Sequence, residues 1–260
     1  MVSPTRRSGR VRGRGGGGDG AVAGARRRRT VKARDVELIV ADDEESAARQ
    51  MAELLAESAR VGSEIVLTGG STPGRAYELA AELEPDWNAA GIWWGDERCV
   101  PPDDDRSNFG LARKTLLDRL EAQPARVHRI RGEDDPADAA ASYDHELRGM
   151  TLDLLLLGLG PDGHAASLFP NSPGLDETER LVIPAAAQLD PFVERVTMTL
   201  PALRSARRIV FLATGEQKAE AVAGAIAGPP DPAVPGSLIR AESGQTLAIL
   251  DQQAASRLRD

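Results

Sequence analysis

The chain has 260 residues, 41% of them apolar and 28% charged, with a formal net charge of −8. That length supports one substantial core, because folding units beyond about 250–300 residues tend to divide. An aromatic share of 3% leaves no platform for stacking nucleic-acid bases, the lone Cys99 excludes an internal disulfide, and no run approaches the ~20 apolar residues of a membrane span, so a reducing, cytoplasmic setting is expected.

The first element in chain order is a tail. Residues 1–34 hold eleven Arg and Lys against Asp19 alone, a charge of +10, so the remaining chain carries −18. With the glycine run Gly15–Gly18, the Arg26–Arg29 block and few large apolar side chains, this segment cannot bury enough surface to offset its ordering entropy, and it is expected to be disordered. Its charge suits electrostatic contact with nucleic acid or anionic surfaces. The plainer reading, a dispensable extension or a start placed too far upstream, is preferred. The segment has no apolar stretch of the secretory type, and an organelle transit peptide would need an amphipathic face that is not evident.

Beyond the tail, strand-like and helix-like segments alternate. Strands are expected at Val36–Ala41, Glu64–Thr68, Gly91–Gly95, Leu152–Leu159, Val193–Thr199, Ile209–Ala213 and Thr246–Leu250. Helices are expected at Asp43–Ala59, Pro73–Leu83, Ser107–Leu120, Pro136–Arg148, Glu216–Ala227 and in the C-terminal stretch. The Pro-rich Gly228–Pro235 reads as a loop inside the domain. Such alternation predicts an α/β fold, a largely parallel Rossmann-like sheet with helices on both faces in a single main domain over residues 35–260.

Ligands in such folds bind at the carboxyl ends of the strands, so three strand ends carry the argument. At Thr68-Gly69-Gly70-Ser71-Thr72-Pro73, paired glycines allow close backbone approach, Ser71 or Thr72 can cap the following helix, and the helix terminus favours a phosphate; the same pattern also occurs for structural reasons alone. At Asp96-Glu97-Arg98, Arg98 can bond a phosphate and Asp96 can hold a sugar hydroxyl, although on their own these charges would merely neutralise one another. The third end is Leu154-Leu155-Leu156-Leu157-Gly158-Leu159-Gly160-Pro161-Asp162-Gly163-His164, a buried-strand run that stops at glycines and delivers a carboxylate and an imidazole. A neutral imidazole can take a proton from water near neutral pH, and Asp162 can orient it or shape the loop. His128 and His145 have no comparable setting.

Together these segments resemble the 6-phosphogluconolactonase family, within the group that includes glucosamine-6-phosphate deaminases. The likeness rests on Gly69 to Pro73, on Asp96-Glu97-Arg98 with Val100-Pro101 and Ser107-Asn108, and on Gly160 to His164 with Ala166-Ser167-Leu168-Phe169-Pro170. Weaker matches are Arg195-Val196-Thr197 and Gly215-Glu216-Gln217-Lys218-Ala219. The resemblance implies hydrolysis of 6-phospho-D-glucono-1,5-lactone to 6-phosphogluconate without metal or organic cofactor. It implies that Gly69, Gly70, Ser71, Thr72, Arg98 and Lys218 grip the phosphate, that Asp96 belongs to the substrate site, and that His164, with Asp162, activates water. Thr68 stands where the family usually has serine and Ala165 where threonine is common; neither change removes a proposed catalytic group.

Rival readings are an isomerase or deaminase using Asp96 or Asp162 as carboxylate base, and a sugar-phosphate sensor whose tail touches DNA. The tail shows no helix-turn-helix pattern. Ser167 lacks the Gly-x-Ser-x-Gly elbow of a nucleophile and is expected to cap a helix or pack locally. Asp103, Asp104 and Asp105 are consecutive and lack calcium-loop spacing, so they read as a solvated turn.

Overall fold

The structure, a computed structural model, describes residues 31–33, 35–188 and 192–258. The tail expected to be disordered lies outside these residues apart from 31–33.

The main sheet holds eight strands. In chain order they are β1 (Val31–Ala33), β2 (Val36–Ala41), β3 (Glu64–Leu67), β4 (Gly91–Trp94), β6 (Arg126–Val127), β7 (Leu154–Gly158), β10 (Arg208–Ala213) and β11 (Gln245–Asp251). Their spatial order is β1-β2-β11-β10-β7-β3-β4-β6. Only β1 runs antiparallel to its neighbour; the other pairings are parallel. A smaller antiparallel sheet orders β5 (Asp96–Arg98), β9 (Arg195–Met198) and β8 (Val182–Ala185) as β5-β9-β8.

The order explains where a ligand belongs. From β3 the chain steps outward through β4 to β6, then returns to lay β7 on the other side of β3 and steps away through β10 and β11. The winding direction reverses between β3 and β7, and at such a switch point the loops after the two strands part and leave a crevice. Those two loops are the glycine turn after Leu67 and the Gly158–His164 segment.

Local chemistry accounts for the main helices. Helix α1 (Glu44–Arg60) starts where Asp43 accepts a bond from the Ser46 amide at 2.8 Å, and it buries Met51 and Leu55. Helix α2 (Ser71–Leu83) packs against α1, and α4 (Pro136–Leu147) leans on the small sheet. The four leucines of β7 are buried on both faces, as a central parallel strand requires. Leu156 has no exposed surface; Leu156→Ala is expected to cost about 2–5 kcal/mol of unfolding free energy, read from the shift in urea midpoint at unchanged slope.

Four expectations need correction. Val193–Thr199 was expected in the main sheet, but β9 lies in the small antiparallel one, because its buried residues pack between β5 and β8 rather than against β7 or β10. Ser107–Leu120 divides into α3 (Asn108–Thr115) and a 3₁₀ turn Leu117–Arg119, broken at Leu116 with φ −126° and ψ −72°. Glu216–Ala227 is a 3₁₀ turn, one α turn called α6 (Ala219–Val222) and a π turn; α5 (Leu200–Arg204) precedes it. The C-terminal stretch forms turns anchored by Asp251, which accepts bonds from the Gly215 and Ala254 amides.

Candidate active site

A cavity of about 470 Å³ opens at the switch point, lined among others by Gly69, Gly70, Asp96, Arg98, Asn108, His164, Arg195 and Lys218. Residues more than a hundred positions apart therefore meet, each delivered by the end of a strand or by the loop beyond it.

The glycine turn is held from behind. The buried Tyr77 hydroxyl donates to the Thr68 carbonyl at 2.6 Å and accepts from the Thr68 amide at 2.9 Å. Gly69 has no room for a side chain, since a Cβ would sit 2.0 Å from Asn108 Oδ1. Gly70 caps α2 at φ 115°, a backbone angle suited to glycine, and no side chain caps this terminus. The expected Ser71 or Thr72 cap is thus replaced by Gly70. Ser71 and Thr72 lie in the first turn and are not among the residues that line the cavity; Thr72 bonds Glu44 at 2.7 Å and Thr214 at 2.9 Å.

Strand alternation sorts the Asp96-Glu97-Arg98 trio. Asp96 and Arg98 line the cavity, whereas Glu97 is buried against the start of α3. Its carboxylate accepts from the amides of Asn108, Phe109 and Arg98, each at 2.7 Å, and from the Ser107 hydroxyl at 2.9 Å. Burial pushes the Glu97 carboxyl above its ordinary value, and these donors oppose that shift. The trio does not neutralise itself at the surface. Glu97 ties β5 to the amide end of α3, where otherwise unpaired N–H groups favour an anion.

Arg98 faces Arg195 directly across the β5–β9 ladder. Like charges so placed repel, and a bound anion would relieve the repulsion. Arg98 donates to the Arg106 carbonyl at 2.5 Å, while its buried Nε has no hydrogen-bond partner among the described residues. Burial, above all, pushes the Arg195 guanidinium below its ordinary value; Asp96 raises it and Arg98 lowers it further. Arg195 also stands 5.7 Å from the centre of the Phe169 ring. Lys218, which also lines the cavity, donates to the Leu159 carbonyl at 2.6 Å, with burial lowering its pKa and Asp162 opposing.

The histidine loop is tightly built. His164 Nδ1 lies 2.6 Å from Asp162 Oδ1, and the His164 amide donates to the same oxygen at 3.2 Å. An ionised carboxylate only accepts, so this contact puts the ring proton on Nδ1 and leaves Nε2 with a free lone pair. Gly160 must lack a side chain, because a Cβ would meet His164 Nδ1 at 2.0 Å, and Gly163 turns the chain at φ 84°. Phe169 flanks the imidazole at 4.9 Å between ring centres.

Seven of the nine residues predicted for the site meet here or directly support it: Gly69, Gly70, Asp96, Arg98, Asp162, His164 and Lys218. Arg195 and Asn108 were not among the predicted site residues. An arginine inside the strand pattern Val193–Thr199 was the available signal for Arg195. His128 lies elsewhere, stacked on Trp93 at 3.9 Å. Among the described residues no group of three or more His, Cys, Asp and Glu could hold a metal ion, and no helix is long and apolar enough to cross a membrane.

Residues 35–248 match the family model described as glucosamine-6-phosphate isomerases/6-phosphogluconolactonase. A 6-phosphogluconolactonase of Streptomyces coelicolor is 39% identical over 246 residues, covering 86% of this chain and 92% of that protein. The 6-phosphogluconolactonase of Homo sapiens is 38% identical over 212 residues, covering 77% and 82%. Among solved structures, 6-phosphogluconolactonase from Trypanosoma cruzi superposes with a TM-score of 0.76 at 27% identity, covering 89% of this chain and all of that one. A monomeric glucosamine-6-phosphate deaminase, at 22% identity and a TM-score of 0.75, shares the fold. The chain belongs to the glucosamine-6-phosphate isomerase/6-phosphogluconolactonase family of enzymes.

Proposed function

We propose that this protein is a 6-phosphogluconolactonase that hydrolyses 6-phospho-D-glucono-1,5-lactone to 6-phosphogluconate in the pentose phosphate pathway, with His164 as general base. The observation that carries the reading is the His164–Asp162 pair at 2.6 Å on the wall of a cavity that three cations, Arg98, Arg195 and Lys218, also line. Relatives named 6-phosphogluconolactonase at 34–39% identity support the same chemistry. A cytoplasmic setting and a small sugar-phosphate partner belong to the same proposal.

The steps follow from the residues. Arg98, Arg195, Lys218 and the amides of the glycine turn take the phosphate dianion, which is remote from the reacting carbonyl and sets its distance from the imidazole. Nε2 of His164 accepts a proton as water oxygen bonds to C1, forming a tetrahedral intermediate. The C1–O5 bond then breaks, O5 receives the proton from Nε2, and the new carboxylic acid ionises into solvent. Asp162 keeps the ring in the tautomer that exposes Nε2 and stabilises the imidazolium formed midway.

Freshly generated 6-phosphogluconolactone and glucosamine 6-phosphate, each supplied to the wild-type protein, test the reading. Lactone should disappear far faster than its spontaneous hydrolysis, with no ammonia released from the amino sugar. Ammonia release without lactone turnover would replace lactonase by deaminase.

A further inference from the structure

Behind the cavity wall, the buried Ser167 hydroxyl donates to Asp96 Oδ2 at 2.6 Å. The mechanism above does not use this contact. Ser167 is itself held by β9: its amide donates to Thr197 Oγ1 at 3.1 Å, and Thr197 lies opposite Asp96 in the β5–β9 register. The second oxygen of Asp96 accepts from Asn108 Nδ2 at 3.2 Å, and the same amide group donates to the Asp96 carbonyl at 2.8 Å. Two buried donors thus clamp one carboxylate that lines the cavity.

The chain does something uncommon to bring Ser167 there. Ala166, just before it, has φ 51°, a left-handed backbone that residues with a side chain seldom adopt. The turn is closed by the Leu168 amide on the Ala165 carbonyl at 3.1 Å. It sends residue 167 inward within three residues of His164, so one loop carries both the imidazole and the clamp on Asp96. An ionised carboxylate has about four acceptor positions, and the two clamping bonds leave capacity on the cavity side. What such an acceptor takes from a sugar lactone is a hydroxyl.

We propose that Ser167 is a positioning residue that fixes the Asp96 carboxylate as acceptor for one ring hydroxyl of the lactone, making the pair a determinant of substrate specificity. The inference rests on the lactonase reading. Holding the acceptor rigid matters because a site built to bond a hydroxyl rejects the analogue lacking it, whereas a mobile carboxylate turns to water instead.

The test compares kcat/KM for the parent lactone with that for its 2-deoxy, 3-deoxy and 4-deoxy counterparts, in wild type, Ser167→Ala, Ser167→Cys and Asp96→Asn. Wild type should prefer the parent over one deoxy lactone by about tenfold to about hundredfold, the range of a hydrogen bond to a charged group. Ser167→Ala should lose most of that preference, chiefly through KM for the parent. Ser167→Cys, which retains a weak donor and guards against misfolding of the alanine variant, should fall between. A merely structural Ser167 would slow all substrates alike. Unchanged preference in folded Ser167→Ala, or a wild type indifferent to all three deletions, overturns the inference while leaving the lactonase reading intact. Absence of wild-type lactone turnover overturns both.

Discussion

His164→Ala is expected to lower kcat for lactone hydrolysis by about 10²- to 10⁴-fold, the contribution of a positioned general base, while KM stays near the wild-type value. The asymmetry follows from the cavity. The cations that would hold the phosphate come from β5, β9 and the turn after Gly215, not from the histidine loop. Removing the imidazole therefore takes away the proton acceptor and leaves the grip on the substrate. The fold should tolerate the change, since His164 is half-buried and its ring contacts are with Asp162 and Phe169. Steady-state rates corrected for spontaneous hydrolysis, with a thermal melt of both proteins, check this. A rise in KM at unchanged kcat would assign the histidine to binding.

Arg98→Ala carries the second large effect. It should raise KM for the phosphorylated lactone about tenfold to about hundredfold, the range for a hydrogen bond to a charged group, with a smaller change in kcat. Arg98 Nε is buried and has no partner among the described residues, so the protein without ligand gains little from that donor, and the full value of the group is realised on an anion. Because the substitution also removes the repulsion facing Arg195 across the ladder, the melting temperature should hold while affinity falls. A KM unchanged from wild type would remove Arg98 from the phosphate site. Competitive inhibition by inorganic phosphate, weakened in the variant, provides a second reading of the same contact.

The sequence makes the strand ends legible because glycines interrupt buried apolar runs there, and only backbone that must turn sharply or approach a neighbour needs that pattern. Gly160, pressed against His164, and Gly70, at φ 115°, are the structural counterparts of that signal. Glu97 was not legible as a helix anchor, since no local pattern says that its four donors come from Arg98 and residues 107–109. Arg195 was obscured for a related reason. Its strand reads like a member of the main sheet, and its partner β5 is a three-residue stretch of charged side chains that carries no strand signature. The clamp of Ser167 on Asp96 spans 71 positions and depends on a left-handed alanine, which no composition rule anticipates.

The measurement that bears most directly on the account is the rate of 6-phosphogluconolactone disappearance with His164→Ala as imidazole is titrated in, each point corrected by an enzyme-free control. A base missing from an otherwise intact cavity predicts a very low rate without imidazole that rises, and saturates, as the free base fills the vacated space beside Asp162. A folded His164→Ala protein that turns over lactone at the wild-type rate with no imidazole present would contradict the assignment of His164 as the group that activates water.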